Sequence, residues 1–305
     1  MTKLQKGKHE AVRIFQKESV EVEQQPEKLE FAVNYLYFFG YLAVELLNHV
    51  DAETLKAGVK KFQKTFGLSA DGIVGPKTLR AMQEPRCGCP DYLDSNNTEH
   101  KEFLVAEQIS REKRERWNKQ GLTYATESYL TGKVKHAEQN RILDSAFQAW
   151  DKVCGIHLER IKDVKKADIV ISTGRGMRHN FDGRGGVLAW AYMPQGNNKP
   201  LTMRFDLDET WVSNPRDRGV IIHNVACHEF GHLLGLRHST RPKALMAPYY
   251  NPFVANPQQD DDIPRIQKLY GTNPNVATLK NVDQIGDELT TVELSPGQKL
   301  LVIAK

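Results

Sequence analysis

Between Asp51 and Phe66 the apolar residues Leu55, Val59 and Phe62 recur at the three-to-four spacing of one helical face, which predicts a helix. Upstream, Phe31 to Leu47 is apolar enough for a buried helix, whereas residues 1–27 carry charge throughout and predict a solvated, partly helical tail. Gly67 to Pro76 is crowded with turn residues, and Leu79 and Met82 behind it predict a short third helix. Farther along, the pattern becomes mixed. Leu122 to Glu127 predicts a strand, and Gln139 to Val153 places Ile142, Leu143, Ala146, Phe147 and Trp150 on one helical face. His157 to Ile161, Ile169 to Ser172 and Val187 to Tyr192 predict short strands, and Lys299 to Lys305 a lone one. The chain therefore divides into a small all-α unit and a larger α+β unit.

The densest chemistry lies in residues 228–238, His-Glu-Phe-Gly-His-Leu-Leu-Gly-Leu-Arg-His. His228 and His232 share one face of a helix and can grip a single cation from consecutive turns. Glu229 projects beside that face, where a carboxylate can take a proton from water at the metal. Gly235 can adopt positive φ, so the helix can end there and swing His238 back as a third imidazole. Three nitrogen ligands leave one tetrahedral position of zinc open, the pattern of a catalytic site. An ordinary amphipathic helix with hydrogen-bonded histidines is the plain alternative, and the glycine and third histidine in register weigh against it.

Composition narrows the field. The chain has 305 residues, 40% hydrophobic and 26% charged, enough for one large domain and a small one. A net charge of +4 gives no argument for nucleic acid. No run reaches membrane-span length; Val33 to Val50 comes nearest and is interrupted by Asn34, Glu45, Asn48 and His49. Met1 to Glu30 lacks the apolar segment of a signal peptide. Of the cysteines, Cys154 and Cys227 fit either a bridge between two packed helices or two buried thiols. The sequon Asn96-Asn97-Thr98 suits a secreted surface loop.

The zinc motif, with Ser239 and Ala244-Leu-Met-Ala-Pro-Tyr-Tyr250 behind it, resembles the matrixins (matrix metalloproteinases), a branch of the metzincin zinc endopeptidases. The resemblance implies that Met246 lies in a turn beneath the histidines. It also implies that Pro248 and Tyr250, with Asn224 and Val225, wall the pocket for the substrate side chain after the cut bond. Leu55 to Met82 resembles the peptidoglycan-binding-like fold of matrixin propeptides. Pro85-Arg-Cys-Gly-Cys-Pro-Asp91 is similar to the family's cysteine switch, so Cys87 is expected to bind the zinc in the latent form. Cys89 departs from that pattern and leaves open which sulfur binds, or whether the two oxidise together. Arg111-Glu-Lys-Arg114 matches a furin-like cleavage sequence, and a cut after Arg114 would sever the switch from Trp117-Asn-Lys-Gln-Gly-Leu-Thr-Tyr124, which looks like the first catalytic strand.

By the same resemblance the catalytic unit is a twisted, mostly parallel five-stranded sheet with three helices, and Asp261 to Gly271 is the closing helix. Leu188 and Ala189 on its edge strand would pair with substrate backbone. Asp182, Asp206 and Glu209 with the carbonyls of Gly183, Gly185 and Val187 would hold calcium. The histidines of a second, structural zinc are replaced by Trp190 and Arg204, which leaves His179 without partners, so one zinc per chain is expected. A second calcium is in doubt: Asp168 is kept, but Pro200 and Thr202 stand where oxygen-rich positions are expected. Residues 272–305 do not resemble a haemopexin propeller.

The expected organisation is a charged tail (1–28), a helical prodomain (29–86), a switch and activation linker (87–114), a zinc metalloprotease domain (115–273) and a C-terminal extension (274–305). The function implied is a latent zinc endopeptidase, a secreted monomer activated by a furin-like protease and cutting extracellular-matrix proteins, collagen included. The alternative is a cell-wall or glycan-binding module with an accessory or inactive peptidase. No nucleic-acid partner and no membrane span are expected.

Overall fold

A computed structural model describes residues 26–42, 47, 50–92 and 116–273, and the backbone of 290–295 and 298–302. The first helix, α1 (Pro26–Phe38), opens on a proline, whose missing N–H costs nothing in a first turn. It does not run on to Leu47 as its apolar content predicts. Gly40 takes φ +78°, and Tyr41 and Leu42 turn their N–H groups back onto the Leu36 carbonyl. Hydrophobicity alone cannot locate such a stop. Asp51 caps α2 (Ala52–Thr65) by accepting from the Thr54 N–H, and Leu55, Val59 and Phe62 face inward as predicted. The turn-rich loop before α3 (Pro76–Met82) is organised by buried Gln63, whose amide meets Asp71, Ile73 and Thr78.

The larger unit is built on one sheet. In chain order its strands are β1 (Arg86–Cys87), β2 (Gly121–Thr126), β3 (His157–Arg160), β4 (Ile169–Gly174), β5 (Val187–Ala191) and β6 (Leu201–Asp206). Across the sheet they lie β1-β5-β6-β4-β2-β3, and only the β5–β6 pair is antiparallel. Five of them form the mostly parallel sheet expected for the catalytic unit. The sixth, β1, follows the helical unit in the chain and extends that sheet beyond β5.

Helices α4 (His136–Asp151), α5 (Ile222–Leu233) and α6 (Asp262–Tyr270) flank the sheet, with a minor pair β7 (Trp211–Val212) and β8 (Val220–Ile221) leading into α5. The predicted face of α4 is the buried one: Leu143, Ala146, Phe147 and Trp150. Phe147 meets Phe230 of α5, and the Trp150 indole N–H donates to the Cys227 carbonyl at 2.8 Å. Cys154 and Cys227 are free buried thiols. Near the C-terminus, Gln298–Val302 is not a lone strand. It is β10 and pairs antiparallel with β9 (Thr290–Ser295), in which Val292 and Leu294 alternate with Thr291, Glu293 and Ser295.

Trp150 is fully buried between α4 and α5. Trp150→Ala should lower the stability of the larger unit by about 3–5 kcal/mol, the cost of a large cavity. A urea midpoint unchanged from the parent would show that the contact contributes little.

Candidate metal centre and substrate cleft

Helix α5 ends where the sequence places its glycine. Gly235 takes φ +100°, its N–H returns to the His232 carbonyl, and the Leu236 N–H reaches the Gly231 carbonyl. This paired closure reverses the chain within one turn. The reversal brings the Leu236 carbonyl to 2.7 Å from Nδ1 of His232. The Leu245 carbonyl stands 2.7 Å from Nδ1 of His228, on a turn whose Leu245 and Met246 N–H groups are held by the buried Asp262 carboxylate. Nδ1 of His238 meets Oδ1 of Asp91 at 2.7 Å.

Each Nδ1 therefore carries the proton, because each faces an acceptor, and each Nε2 is left with a bare lone pair. The consequence is unusual. Nε2 of His228 and Nε2 of His232 lie 3.1 Å apart with no proton between them, and Nε2 of His238 is buried without a partner. Sγ of Cys87 sits 3.4 Å from Nε2 of His232, and the ligand atoms of Cys87, His228, His232 and His238 all lie within 4.8 Å of one another. The edges of a zinc tetrahedron with nitrogen and sulfur corners are about 3.3–3.6 Å. Burial also pushes the imidazoles down, His228 to about 3, and so favours the neutral form that binds metal. Three imidazole nitrogens and one sulfur thus make a donor set that fits a tetrahedral zinc ion.

Glu229 is fully buried, and burial pushes its carboxyl up to about 8, against a lowering contribution from the Cys87 thiol. Its carboxylate, both cysteine sulfurs of the switch and the His232 nitrogen form a second cluster within 4.8 Å. Met246 lies under this assembly against Gly231, where an added Cβ would collide with the methionine sulfur. That close approach is why the middle of the motif holds a glycine.

The backbone of residues 86–88 holds the Cys87 thiol in place from two sides. The Arg86 N–H donates to the Gly186 carbonyl at 3.0 Å and the Gly88 N–H to the Ala189 carbonyl at 2.8 Å, while the Cys87 N–H donates to Pro248 at 2.9 Å. Leu188 and Ala189 thus lie on the strand that β1 covers. Arg86 is buried over the Phe39 ring, donating to Tyr35, to the Cys87 carbonyl and to Asp91. Burial pushes the Asp91 carboxyl up, but Arg86 and His238 outweigh it and hold it below the usual range. Cys89 is buried too, its thiol donating to the Ala191 carbonyl. The roles of Asp91 and Asp262 are not legible in the sequence, since neither stands in the zinc motif.

Asn224, Val225, Pro248 and Tyr250 line one pocket beside His228 and Glu229. The Asn224 amide is spent on the Asn251 and Pro252 carbonyls, and the Tyr250 hydroxyl accepts from the Ile221 N–H. Arg114 and the sequon Asn96 to Thr98 lie outside the described residues.

At the glycine-rich loop, Asp182 accepts from the Val187 N–H and Glu209 from the Gly185 N–H. Gly183 and Gly185 take φ +94° and +93°, which lets the loop curl. One Asp206 oxygen is buried without a partner, and burial, with Asp208, Glu209 and Asp182 nearby, pushes its carboxyl up to about 6. An added cation would relieve that repulsion, so the oxygen donors fit calcium. Asp168, by contrast, is occupied by Lys119 and Thr123. The His179 ring bonds the Arg175 backbone, and its carbonyl accepts from the Trp190 indole. The Arg204 guanidinium lies 5.3 Å from the Trp190 ring centroid and donates to Ser172.

Comparison with known proteins agrees with this geometry. The matrixin family matches residues 116–271, and a putative peptidoglycan binding domain matches residues 25–82. The interstitial collagenase of Equus caballus is 39% identical over 71% of this chain and 43% of its own length. The hatching enzyme of Paracentrotus lividus is 36% identical over 73% of this chain and 35% of its own. Matrix metalloproteinase-16 of Rattus norvegicus is 34% identical over 72% and 37%. The chain thus spans less than half the length of these relatives.

Gly88 packs so closely that a Cβ would come 2.6 Å from Val187. Gly88→Val should therefore unseat the prosegment strand. The check is the reaction of Cys87 with an aromatic disulfide reagent in the folded full chain, expected to be much faster than in the parent. A variant as slow as the parent would count against the strand as the seat of the thiol.

Proposed function

We propose that this chain, which belongs to the matrixin family, is a latent zinc-dependent endopeptidase in which His228, His232 and His238 hold the zinc and Cys87 blocks it. The observation that carries this reading is the gathering of three imidazole nitrogens and one sulfur within 4.8 Å of one another. Zinc bound there supplies Lewis-acid activation of water and of the scissile carbonyl. The protein does the rest. Glu229 takes a proton from the attacking water and returns it to the leaving amine. Leu188 and Ala189 on β5 align an extended substrate by backbone pairing, in the place β1 now occupies. Asn224, Val225, Pro248 and Tyr250 receive the side chain that follows the cut bond, and Met246 supports the histidines from below.

Activation removes the prosegment by a furin-like cut after Arg114. The organisation is that of tail (1–28), prodomain (29–86), switch and linker (87–114), catalytic domain (115–273) and extension (274–305), acting as a secreted monomer. Substrates are extracellular-matrix proteins, collagens among them, in line with the relative named interstitial collagenase. Calcium binds Asp182, Asp206 and Glu209 with the carbonyls of Gly183, Gly185 and Val187. Arg204 and Trp190 occupy the region where the family pattern would put a second zinc. A guanidinium there repels a divalent cation.

Glu229→Ala should keep the bound zinc and the fold while lowering cleavage of a peptide library, measured after the prosegment is cut away, by at least about 10²-fold. Cleavage at the parent's rate would end the acid–base role. Metal analysis of the pure full chain, with calcium in the buffer, should return one zinc and at least one calcium. Two zincs would overturn the single-site reading.

A further inference from the structure

The three imidazoles are not supported alike. His228 and His232 sit on helix α5, and their Nδ1 protons go to backbone carbonyls of the catalytic unit itself, Leu245 and Leu236. Those acceptors remain when the prosegment is cut away. His238 lies beyond the helix, after the turn at Gly235, on chain that no regular element holds. Its Nδ1 acceptor is the carboxylate of Asp91, four residues past Cys87 and part of the prosegment. Both side chains are only 4% exposed, so the contact is dry and direct.

We propose that Asp91 is a positioning residue for the third metal ligand, an outer-shell carboxylate that the prosegment lends to His238 and takes away on activation. This rests on the zinc reading above. A carboxylate that accepts from the far nitrogen of a metal-bound imidazole fixes its tautomer and ring direction and makes the metal-facing nitrogen more basic. The surroundings of Asp91 suit that task. Arg86 donates to the same Oδ1 at 2.6 Å, and the Tyr41 hydroxyl donates to Oδ2 at 2.5 Å. The Asp91 and Tyr92 N–H groups both bond the Phe39 carbonyl, which ties the residue to the helical prodomain. The carboxylate is thus clamped on both oxygens and through its backbone, and its aim at His238 is set by the folded prodomain. The switch therefore grips the metal centre twice, once through sulfur and once through a ligand's outer nitrogen. The latent chain holds its metal more tightly than loss of the Cys87 bond alone would explain.

The first test uses the unaltered protein, loaded with zinc and labelled with nitrogen-15 at histidine. Three slowly exchanging low-field Nδ1 protons are expected in the latent chain. After proteolytic removal of the prosegment, that of His238 should shift or vanish while those of His228 and His232 persist. A spectrum in which all three change, or none, overturns the proposal. The second test compares Asp91→Asn with the parent, using chelator competition for zinc affinity and cobalt substitution to follow the sulfur-to-cobalt absorption band. The expected result is a retained band with zinc affinity lowered by about 10–100-fold. An unchanged affinity overturns the proposal. So does loss of the band, which would mean that Asp91 only seats the thiol. The zinc content of the parent, measured alongside, tests the zinc reading separately.

Discussion

Two nitrogen lone pairs held 3.1 Å apart with no proton between them are the constraint around which this protein is arranged. Such an approach is repulsive unless a cation lies between, and the fold enforces it by giving each imidazole an acceptor on its other nitrogen. The acceptors are costly to place. One requires the chain to reverse at Gly235, one requires the turn that Asp262 ties down, and one is brought by a separate part of the polypeptide. Without them the rings would be free to rotate or to take the other tautomer, and three histidines in a helix-and-turn motif would be only nearby bases.

Coverage of the metal centre follows from the same geometry. The prosegment does not merely lay a thiol on the site. It extends the sheet through β1, which pairs with β5 on one side while the Cys87 N–H bonds Pro248 on the other. The edge of β5 is satisfied by the backbone of β1, so bringing a sulfur to the histidines and covering that edge are one structural event. A parallel strand of two residues is weak by itself. It is stable here because Arg86 is buried over Phe39 and clamped by Tyr35 and Asp91, making the helical prodomain the anchor of the short strand. The buried ion pair contributes geometry rather than net stability, since desolvation offsets much of its attraction.

The two hydrophobic clusters express the division of labour. One joins α4, α5, α6 and the sheet, with Trp150 and Phe230 at its centre. The other fills the prodomain and continues through Cys87 and Cys89 into Phe181, Val187 and Trp190 of the catalytic unit. The core that holds α5 is thus separate from the apolar residues that cover one face of β5.

Local order carried much of this in the sequence. The spacing of His228, His232, Gly235 and His238 determines a helix, its stop and a returning ligand, because each acts within two turns of backbone. The face of α4 is equally local, and so was predictable. The end of α1 at Phe38 was not, because a glycine and a back-turned carbonyl stop the helix while the residues beyond stay apolar. The sixth strand, the Asp91–His238 contact and the hold of Asp262 on the Met246 turn join residues 16 to 147 positions apart. Such pairings depend on which surfaces the packed units bring together. The sequence by itself determined which atoms could bind a metal; only the tertiary structure decided which way each ring faces, because orientation is set by the acceptor on the far nitrogen and those acceptors lie outside the helix that carries the motif.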